Sequence, residues 1–429
     1  MRVSIFWFRR DLRIDDNIAL YHSLNSKFNV LPIFIFDDEI VNELPEGDPR
    51  INFIYNELEK NNTLLTAKAS SIRIFNCSYK DAWKSLVDEF DLKEVYFNED
   101  YEPYAKQRDE WVCSFLELLD VDVYSFKDHV IFEPGFIKKD DGFPYTVYTP
   151  FKKKWINHYE LNKPEILPEP NFKNLLKQDF EFPLLKDLGF SPSLIKVKDF
   201  NVSELDNYEM TRDVPSLNST SFLGPHLRFG TVSLRKIISE LKESDEVFLS
   251  ELIWREFFMQ IMYHFPRVVN ENFKIKYNGI VWRDNEQDFE KWCKGETGYP
   301  IVDAGMRQLN ETGYMHNRVR MITASFLCKH LLIDWRWGEA YFAEKLLDFE
   351  LASNNGNWQW VAGTGCDAAP YFRVFSPSAQ TLRFDPDLEY IKKWVPELNE
   401  IDYKPMLDHK MARERALLTY KEGIGNILS

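Results

Sequence analysis

The segment from Asp348 to Arg373 carries the residue types best suited to chemistry in this chain. It opens with two acids, Asp348 and Glu350, continues with asparagines at positions 354, 355 and 357, and holds two tryptophans and three glycines. Amides and carboxylates pair with the heteroatoms of a polar ring, and tryptophans stack on a ring or pass electrons. A core helix would lack the amides, and a solvated loop would lack the aromatic residues. The mixture predicts a pocket for a polar, aromatic cofactor.

A second short segment, Met315 to Met321, offers a local positive charge. Arg318 and Arg320 have no acidic neighbour in the sequence there, although the whole chain carries a net charge of −15. That net charge argues against a nucleic acid as partner, because phosphates are neutralised by lysine and arginine, but it does not exclude a confined basic patch.

Composition excludes several classes of protein. The 429 residues are 44% hydrophobic and 28% charged, which is typical of a globular protein with two or three domains. No apolar run approaches a membrane span, and the N-terminus reverses the residue order of a signal peptide. Five scattered cysteines without a C-x-x-C spacing indicate reduced thiols in the cytoplasm, with neither a metal site nor a disulfide framework.

Short apolar runs alternate with amphipathic stretches over residues 1–126, a pattern typical of α/β architecture. The predicted strands are 3–8, 30–36, 71–75, 94–98 and 121–126, and the predicted helices lie near 50–65, 80–90 and 103–120. No G-x-G-x-x-G follows the first strand, so the usual dinucleotide fingerprint is absent. We expect an N-terminal Rossmann-like domain with a parallel sheet.

The sequence changes character twice after this domain. Residues 127–199 contain six prolines between Pro134 and Pro170 and little periodicity, which predicts a long connector over the surface. Over residues 200–429, apolar residues recur at helical spacing and strand patterns are missing. This pattern predicts a second domain that is entirely helical.

Seven blocks of the sequence, taken in order, resemble the photolyase/cryptochrome family. They are FWFRRDLRIDDNIAL (6–20), DGFPYTVYTPFKKKW (141–155), STSFLGPHLRFGTVSLR (219–235), ELIWREFF (251–258), TGYPIVDAGMRQL (297–309), MHNRVRMITASFL (315–327) and the segment 348–373. Within the family the chain looks most similar to the class I cyclobutane pyrimidine dimer photolyases. The resemblance implies an N-terminal α/β domain, a long connector and a C-terminal helical domain that binds FAD, the same layout as predicted above.

The resemblance also implies the residues of the FAD site. Those on the phosphate side are Tyr208, Thr220, Ser221, Phe222, Leu223 and Gly224, and those on the flavin and ribose side are Phe248, Arg320, Asp348, Phe349, Glu350 and Asn354. A hydroxyl pair before a helix can donate to a pyrophosphate, although helix capping is the commoner use. Arg320 is expected to pair with Asp348, and Asn354 to face flavin N5. Gly224 and Glu350 depart from the family pattern, which usually has Ser and Asp there.

Three tryptophans match the electron-transfer chain of the family, in which photoexcited flavin is reduced from the protein surface. They are Trp358, Trp335 and Trp282. Core packing would also explain three of the 12 tryptophans, so only the family match favours electron transfer.

The resemblance implies a set of DNA-binding residues. They are Arg212, Glu251, Trp254, Arg255, Asn317, Arg318, Met321, Trp360 and Gln380. The flat apolar side of a flipped-out pyrimidine dimer suits the tryptophans, and its carbonyl and imide edges suit Glu251, which with the three tryptophans and Asn354 is expected to be catalytic. Glu251 and Trp254 are three residues apart and can share a helix face, whereas the adjacent Trp254 and Arg255 are expected not to.

The implied function is light-driven repair of cyclobutane pyrimidine dimers, in single- or double-stranded damaged DNA, by electron transfer from reduced FAD. A cryptochrome-type photoreceptor is one alternative. A (6-4) photolyase is another, but it would need a histidine pair where this chain has His316 and Asn317. A second, antenna chromophore of folate or deazaflavin type stays open, since only Glu102 aligns loosely with a folate contact. We expect a cytoplasmic monomer without membrane contact.

Overall fold

The structure is a computed structural model, which describes residues 1–217, 219–283, 285–400 and 403–428. The chain forms two compact units. Unit 1 comprises Met1–Glu133, His158–Phe200 and Phe222–Leu241, and unit 2 comprises Pro134–Asn157, Asn201–Ser221 and Lys242–Ser429. The domain boundaries predicted at residues 126 and 199 divide the chain into consecutive segments, whereas each unit is made of three separate segments. The predicted boundaries stay predictions.

Unit 1 is built on a five-stranded parallel sheet. Its strands are β1 (Arg2–Phe8), β2 (Asn29–Phe36), β3 (Arg73–Asn76), β4 (Asp91–Asn98) and β5 (Asp122–Phe126), in the order β3-β2-β1-β4-β5. Every strand of this sheet was predicted from the sequence. The prediction was possible because a parallel sheet covered on both faces is made of continuous apolar runs.

The central strand β1 shows how the two faces of the sheet are filled. Phe6 and Phe8 belong to one hydrophobic cluster, whereas Val3, Ile5 and Trp7 belong to another. Side chains alternate between faces along a strand, so these two clusters lie on opposite sides of the sheet. Unit 1 therefore has two cores.

The α-helices follow one another along the whole chain. They are α1 (Ile18–Leu24), α2 (Asp38–Val41), α3 (Pro49–Thr66), α4 (Tyr79–Glu89), α5 (Pro103–Glu117), α6 (Tyr148–Leu161), α7 (Tyr208–Thr211), α8 (Leu223–Phe229), α9 (Leu234–Glu240), α10 (Glu246–His264), α11 (Glu286–Lys294), α12 (Pro300–Thr312), α13 (Asn317–Ser325), α14 (Trp335–Lys345), α15 (Leu351–Ala362), α16 (Pro377–Phe384), α17 (Glu389–Trp394) and α18 (His409–Leu428). A π-helix, Phe326–Leu331, continues α13. Among the described residues, no helix is both long and apolar enough to cross a lipid bilayer.

Helix α6 lies in the region that the sequence predicted to be an irregular connector. Its buried residues Tyr148, Phe151, Trp155 and Tyr159 recur at helical spacing. The prolines on either side hid this short periodic stretch. The prediction of little periodicity was therefore wrong for residues 148–161.

Unit 2 is helical, as predicted, and its largest core holds the tryptophans. Trp292, Trp335 and Trp358 are buried in one hydrophobic cluster, against which Trp282 and Trp360 pack. The cluster joins helices α11 to α15 and α17. Helix α15, which carries polar residues, packs into this cluster.

Candidate functional site

A cavity of about 320 Å³ opens within unit 2. Its walls come from α10, α13, α14 and α15, with further residues from the segments beside α7 and before α15. The lining residues are Arg212, Glu251, Trp254, Arg255, Phe258, Asn317, Arg320, Met321, Ala324, Phe342, Leu346, Asp348, Phe349, Glu350, Ser353, Asn354, Asn357, Trp358, Trp360 and Val361. Apolar walls with a few convergent polar groups are typical of a cofactor or ligand site.

The segment that stood out in the sequence forms α15 and its flanks, and it supplies nearly half of the cavity lining. Gly356 explains how α15 fits there. A Cβ atom at Gly356 would lie 2.1 Å from the ring of Phe258, so only glycine lets α15 pack this closely on α10. The glycine therefore brings the polar side of α15 next to the aromatic side of α10.

Asp348 and Arg320 form the ion pair that the sequence predicted. Arg320 Nη2 donates to Asp348 Oδ2 at 2.9 Å, and its Nε donates to the carbonyl of Met315 at 2.8 Å. The other oxygen, Asp348 Oδ1, is buried and accepts no hydrogen bond from any described residue. A buried carboxylate oxygen without a donor is costly, so it marks a place where a ligand N–H would be stabilising.

Asn354 is held by a residue that the sequence did not indicate. Its Nδ2 donates both to the backbone carbonyl of Glu339, at 3.0 Å, and to Glu339 Oε1, at 2.9 Å. Both amide hydrogens are thereby used, which leaves the carbonyl oxygen of Asn354 to accept from a ligand. Burial raises the pKa of Glu339, and the hydrogen bond from Asn354 opposes that shift.

Glu350 is the acid with the longer side chain that departs from the family pattern. Its Oε1 accepts from Arg255 Nη2 at 2.9 Å, and its Oε2 accepts from Ser353 Oγ at 2.9 Å. Both carboxylate oxygens therefore have protein partners, in contrast to those of Asp348. Glu350 lines the cavity, but its carboxylate is already hydrogen-bonded to other residues of the protein.

Helix α10 contributes Glu251, Trp254, Arg255 and Phe258 to the lining. The expectation that Trp254 and Arg255 do not share a face was wrong for this cavity. Positions i, i+3, i+4 and i+7 cover one broad stripe of a helix, and the cavity is wide enough to meet all of it. Phe258 completes this spacing, so the sequence pattern could have revealed it.

The arginines of the predicted basic patch have acidic partners from distant parts of the chain. Arg318 Nη2 lies 2.8 Å from Asp213 Oδ1, as Arg320 does from Asp348 at 2.9 Å, and Arg212 Nη1 donates to Glu251 Oε1 at 2.7 Å. The lack of acidic neighbours in the sequence was therefore misleading. The positive charge at this site is largely balanced.

The three tryptophans of the predicted electron path differ in burial. Trp358 and Trp335 are buried, the latter donating from Nε1 to Asn272 Oδ1 at 2.9 Å, whereas Trp282 is half-buried. At Gly338 in α14, a Cβ atom would lie 2.1 Å from the Trp358 ring, so glycine is required for this contact too. The roles of the three tryptophans in electron transfer stay predictions.

Several predicted residues are not among those that line the cavity. They are Tyr208, Thr220, Ser221, Phe222, Leu223, Gly224, Phe248, Arg318, Gln380, Trp335 and Trp282. Tyr208 and Phe248 contact each other edge to face at 5.2 Å, and Gln380 lies in α16. The hydroxyl pair belongs to unit 2, whereas α8 begins at Leu223 in unit 1. The roles of these residues in binding FAD phosphates, DNA or electrons stay predictions.

Comparison with known proteins identifies the family. Residues 4–171 match the DNA photolyase family, and residues 248–421 match the FAD binding domain of DNA photolyase. The chain is 36% identical to the deoxyribodipyrimidine photo-lyase of Halobacterium salinarum, over 99% of this chain and 100% of that protein. The protein therefore belongs to the photolyase/cryptochrome family and carries its FAD-binding domain.

Two solved structures share the fold over nearly their full lengths. A bacterial class III photolyase from Agrobacterium tumefaciens is 33% identical, with a TM-score of 0.87, over 99% of this chain and 98% of that one. An archaeal photolyase from Sulfolobus tokodaii, solved with two FAD molecules, is 32% identical, with a TM-score of 0.84, over 98% and 100%. The predicted fold class is confirmed, whereas the assignment to class I stays a prediction.

The residues of the cavity fit the flavin ring of FAD. The free oxygen of Asp348 and the carbonyl of Asn354 can accept from ring N–H groups, and Arg320 balances charge beside them. Phe342 and Leu346 add apolar wall on the same side. These donors, acceptors and walls match a planar ring with a polar edge.

Proposed function

We propose that the protein is a DNA photolyase that repairs cyclobutane pyrimidine dimers with light. The observation that carries the proposal is that most of the residues predicted for the flavin ring and most of those predicted for the dimer line one cavity. Reduced FAD, which Asp348, Arg320 and Asn354 would hold, would supply the light-driven electron transfer that splits the dimer. Relatives named deoxyribodipyrimidine photo-lyase, at 33–36% identity, support this assignment.

On the flavin side, the chain binds and orients. Asp348 presents one unpaired oxygen into the site while Arg320 fixes the other. Asn354 presents an acceptor without charge, because Glu339 uses both of its amide hydrogens. Because this acceptor is uncharged, it adds no second ionised group to the buried site when a ring nitrogen gains or loses a proton.

On the DNA side, the chain recognises a flat apolar ligand with polar edges. Trp254, Trp360 and Met321 offer apolar surface, and Glu251 and Asn317 offer an acceptor and an amide for the carbonyl and imide groups of a dimer. Enzymes that act on bases extrude the target nucleotide, which costs a few kcal/mol and least for a damaged base. A damaged pair is therefore the substrate that such a cavity selects most easily.

The tryptophans are proposed to renew the reduced flavin. Trp358 lines the cavity, Trp335 is buried behind it in the same hydrophobic cluster, and Trp282 is half-buried against that cluster. Indole is easily oxidised, so such a series can move an electron inward from the surface. Substitution of Trp282 by Phe should slow photoreduction and spare repair by enzyme reduced beforehand.

The (6-4) alternative is disfavoured by the position of His316. It caps α13, where Nδ1 accepts from the backbone N–H of Arg318 at 3.2 Å, and it is not among the described residues that line the cavity. Burial lowers the pKa of His316 to about 4, so it is neutral at physiological pH. An imidazole used as a cap is poorly placed to protonate a substrate.

We propose damaged DNA, single- or double-stranded, as the partner of a cytoplasmic monomer. A net charge of −15 and the acid-paired arginines predict weak binding of undamaged DNA. A second chromophore of folate or deazaflavin type, or a second FAD as in the Sulfolobus tokodaii photolyase, stays open.

The test is illumination of the reduced, FAD-loaded protein with DNA that contains cyclobutane dimers. We expect loss of dimers in light and none in the dark, with (6-4)-containing DNA unchanged. Binding without repair would favour the photoreceptor alternative, and repair of (6-4) lesions alone would favour the other. Trp254→Ala should weaken dimer binding about tenfold or more, as expected for loss of a stacking contact, while the flavin absorbance stays the same.

A further inference from the structure

One face of Trp254 is covered by the ring of Tyr148. The two ring centroids are 3.6 Å apart and the planes differ by 9°, which is a face-to-face contact. Among the described residues, Trp254 lines the cavity whereas Tyr148 does not. Tyr148 thus covers a part of the indole from outside the cavity lining, while Phe258, which does line the cavity, contacts the indole at 5.4 Å.

We propose that Tyr148 is a positioning residue for Trp254, which fixes the plane of the indole against which the flat face of a pyrimidine dimer packs. The inference rests on the proposed function, because it concerns the same dimer site. It adds a residue that does not touch the substrate and acts only through its neighbour.

The hydroxyl group of Tyr148 is anchored to the helix that carries Trp254. It donates to the backbone carbonyl of Ser250 at 2.6 Å and lies 2.7 Å from Ser250 Oγ. Burial raises the pKa of Tyr148, so the phenol keeps its proton and remains a donor at physiological pH. Ser250 precedes Trp254 by one turn of α10, and this bond therefore ties the tyrosine ring to the backbone beneath the indole.

The backbone of Tyr148 is hydrogen-bonded to the segment that follows α15. Its N–H, at the first position of α6, donates to Asp367 Oδ2 at 3.0 Å. The first N–H groups of a helix have no partner within it, so Asp367 caps α6 from another part of the chain. Asp367 lies in the segment that follows α15, and Tyr148 is therefore fixed to α10 through its hydroxyl group and to this segment through its backbone.

A third ring restricts the pair from the side. Phe257 meets Trp254 edge to face at 5.6 Å and 81°, and it meets Tyr148 in the same way at 5.8 Å and 73°. Edge-to-face contacts are a preferred geometry of aromatic pairs. The indole thus has neighbours behind and beside it, and its rotamer is set before any ligand arrives.

Such preorganisation changes affinity in a predictable way. Ordering a free side chain on binding costs roughly 0.5–1.5 kcal/mol, which corresponds to about two- to tenfold in affinity. Without the tyrosine ring, the dimer would have to order the indole itself. The loss should appear for dimer-containing DNA only, because undamaged DNA does not place a flipped base against Trp254.

The experiment compares the FAD-loaded parent with Tyr148→Leu, Tyr148→Phe and the control Tyr263→Leu. Tyr263 lies in α10, the helix that carries Trp254, and it is 40% exposed and not among the lining residues. Dissociation constants are measured for dimer-containing and undamaged oligonucleotides, together with repair per absorbed photon at saturating DNA. For Tyr148→Leu we expect three- to tenfold weaker binding of the dimer, unchanged binding of undamaged DNA and unchanged repair at saturation. Tyr148→Phe should recover most of the affinity, and the control should match the parent.

A double-mutant cycle separates positioning from general damage to the fold. In a Trp254→Leu background, Tyr148→Leu should have no further effect, because there is no indole left to position. An additive effect, an unchanged dimer affinity in Tyr148→Leu, or an equal loss for both DNAs overturns the inference. If Tyr148→Leu does not hold flavin, Tyr148→Met, which also cannot stack, is used with the same expectations. A parent without preference for dimer DNA would instead overturn the proposed function.

Discussion

Arginine–carboxylate pairs occur in both units of the protein, but they differ in burial. In unit 1, the pair of Arg13 and Asp128 has side-chain exposures of 7% and 0%, and Arg235 joins the same acid at 2.8 Å. At the cavity of unit 2, the pair of Arg320 and Asp348 has exposures of 26% and 18%. The first kind is sealed from water, whereas the second is open to a ligand.

The difference in burial separates structural pairs from pairs that can exchange partners. Asp128 lies between two arginines, and its Oδ1 is 2.8 Å from Arg235 Nη1, although this oxygen accepts no hydrogen bond from any described residue. Asp16 accepts from Arg235 Nε at 3.0 Å and from Ser233. Asp348 keeps one oxygen without a donor from any described residue. The oxygen of Asp128 lies beside a guanidinium group in a site closed to water, whereas Asp348 lines a cavity, where its oxygen can meet a ligand.

The largest effect is expected from breaking the sealed network. Asp128→Asn removes the acid between Arg13 and Arg235 and leaves two buried guanidinium groups close together. Loss of one partner of a buried ion pair costs roughly 3–5 kcal/mol of unfolding free energy. Urea unfolding followed by circular dichroism measures it.

A surface pair provides the control for this prediction. Asp91 is half-exposed and lies 3.4 Å from Arg2. Asp91→Asn should therefore lower the unfolding free energy of the protein by no more than about 1 kcal/mol. Equal losses in Asp128→Asn and Asp91→Asn would show that burial does not distinguish the two kinds of pair.

These ion pairs also show where sequence analysis reaches its limit. The strands β1, β2 and β4 were predicted because each is a buried local apolar run, and the lining by Glu251 and Trp254 followed from helical spacing. The partners of Arg318 and Glu339 lie 105 and 15 residues away along the chain. No local pattern marks such pairs, so the balanced charge of the patch and the support of Asn354 became visible only in the structure.

The missed helix α6 is a different kind of failure. Its periodicity was present in the sequence at Tyr148, Phe151 and Trp155, but flanking prolines favoured an irregular interpretation. Because the helix was not predicted, the contact between Tyr148 and Trp254 was not predicted either. The family match, in contrast, indicated residues such as Asp348 and Asn354 that periodicity alone would not have singled out.

A second effect, on ligand binding instead of folding, is expected at the open pair. Asp348→Asn removes the charge opposite Arg320 and weakens the unpaired acceptor. A hydrogen bond to a charged group contributes roughly 1.5–3 kcal/mol, so FAD affinity should fall about ten- to a hundredfold. Titration of the flavin-free protein with FAD, followed by flavin fluorescence, measures this change.

The stability of Asp348→Asn distinguishes the two kinds of pair. Because the pair is partly solvated, unfolding free energy without flavin should change by no more than about 1 kcal/mol. Asp213→Asn, at the pair with Arg318 outside the cavity lining, should keep the FAD affinity of the parent. A large loss of stability with normal FAD binding would place Asp348 among the structural acids instead.

The smallest effect concerns Glu339, a carboxyl outside the cavity lining that accepts a hydrogen bond from the amide of Asn354. Burial raises its pKa in the folded protein above the ordinary value of 4.5. Below that value the group is protonated in both folded and unfolded chains, and as pH rises the unfolded chain loses the proton first. The parent therefore loses stability as pH rises through the folded pKa. Glu339→Gln, which can still accept from Asn354, should lack this loss, so its stability relative to the parent should increase from pH 4 to pH 8 in paired unfolding curves. A constant difference across that range would mean that burial does not raise the pKa of Glu339 in the folded protein.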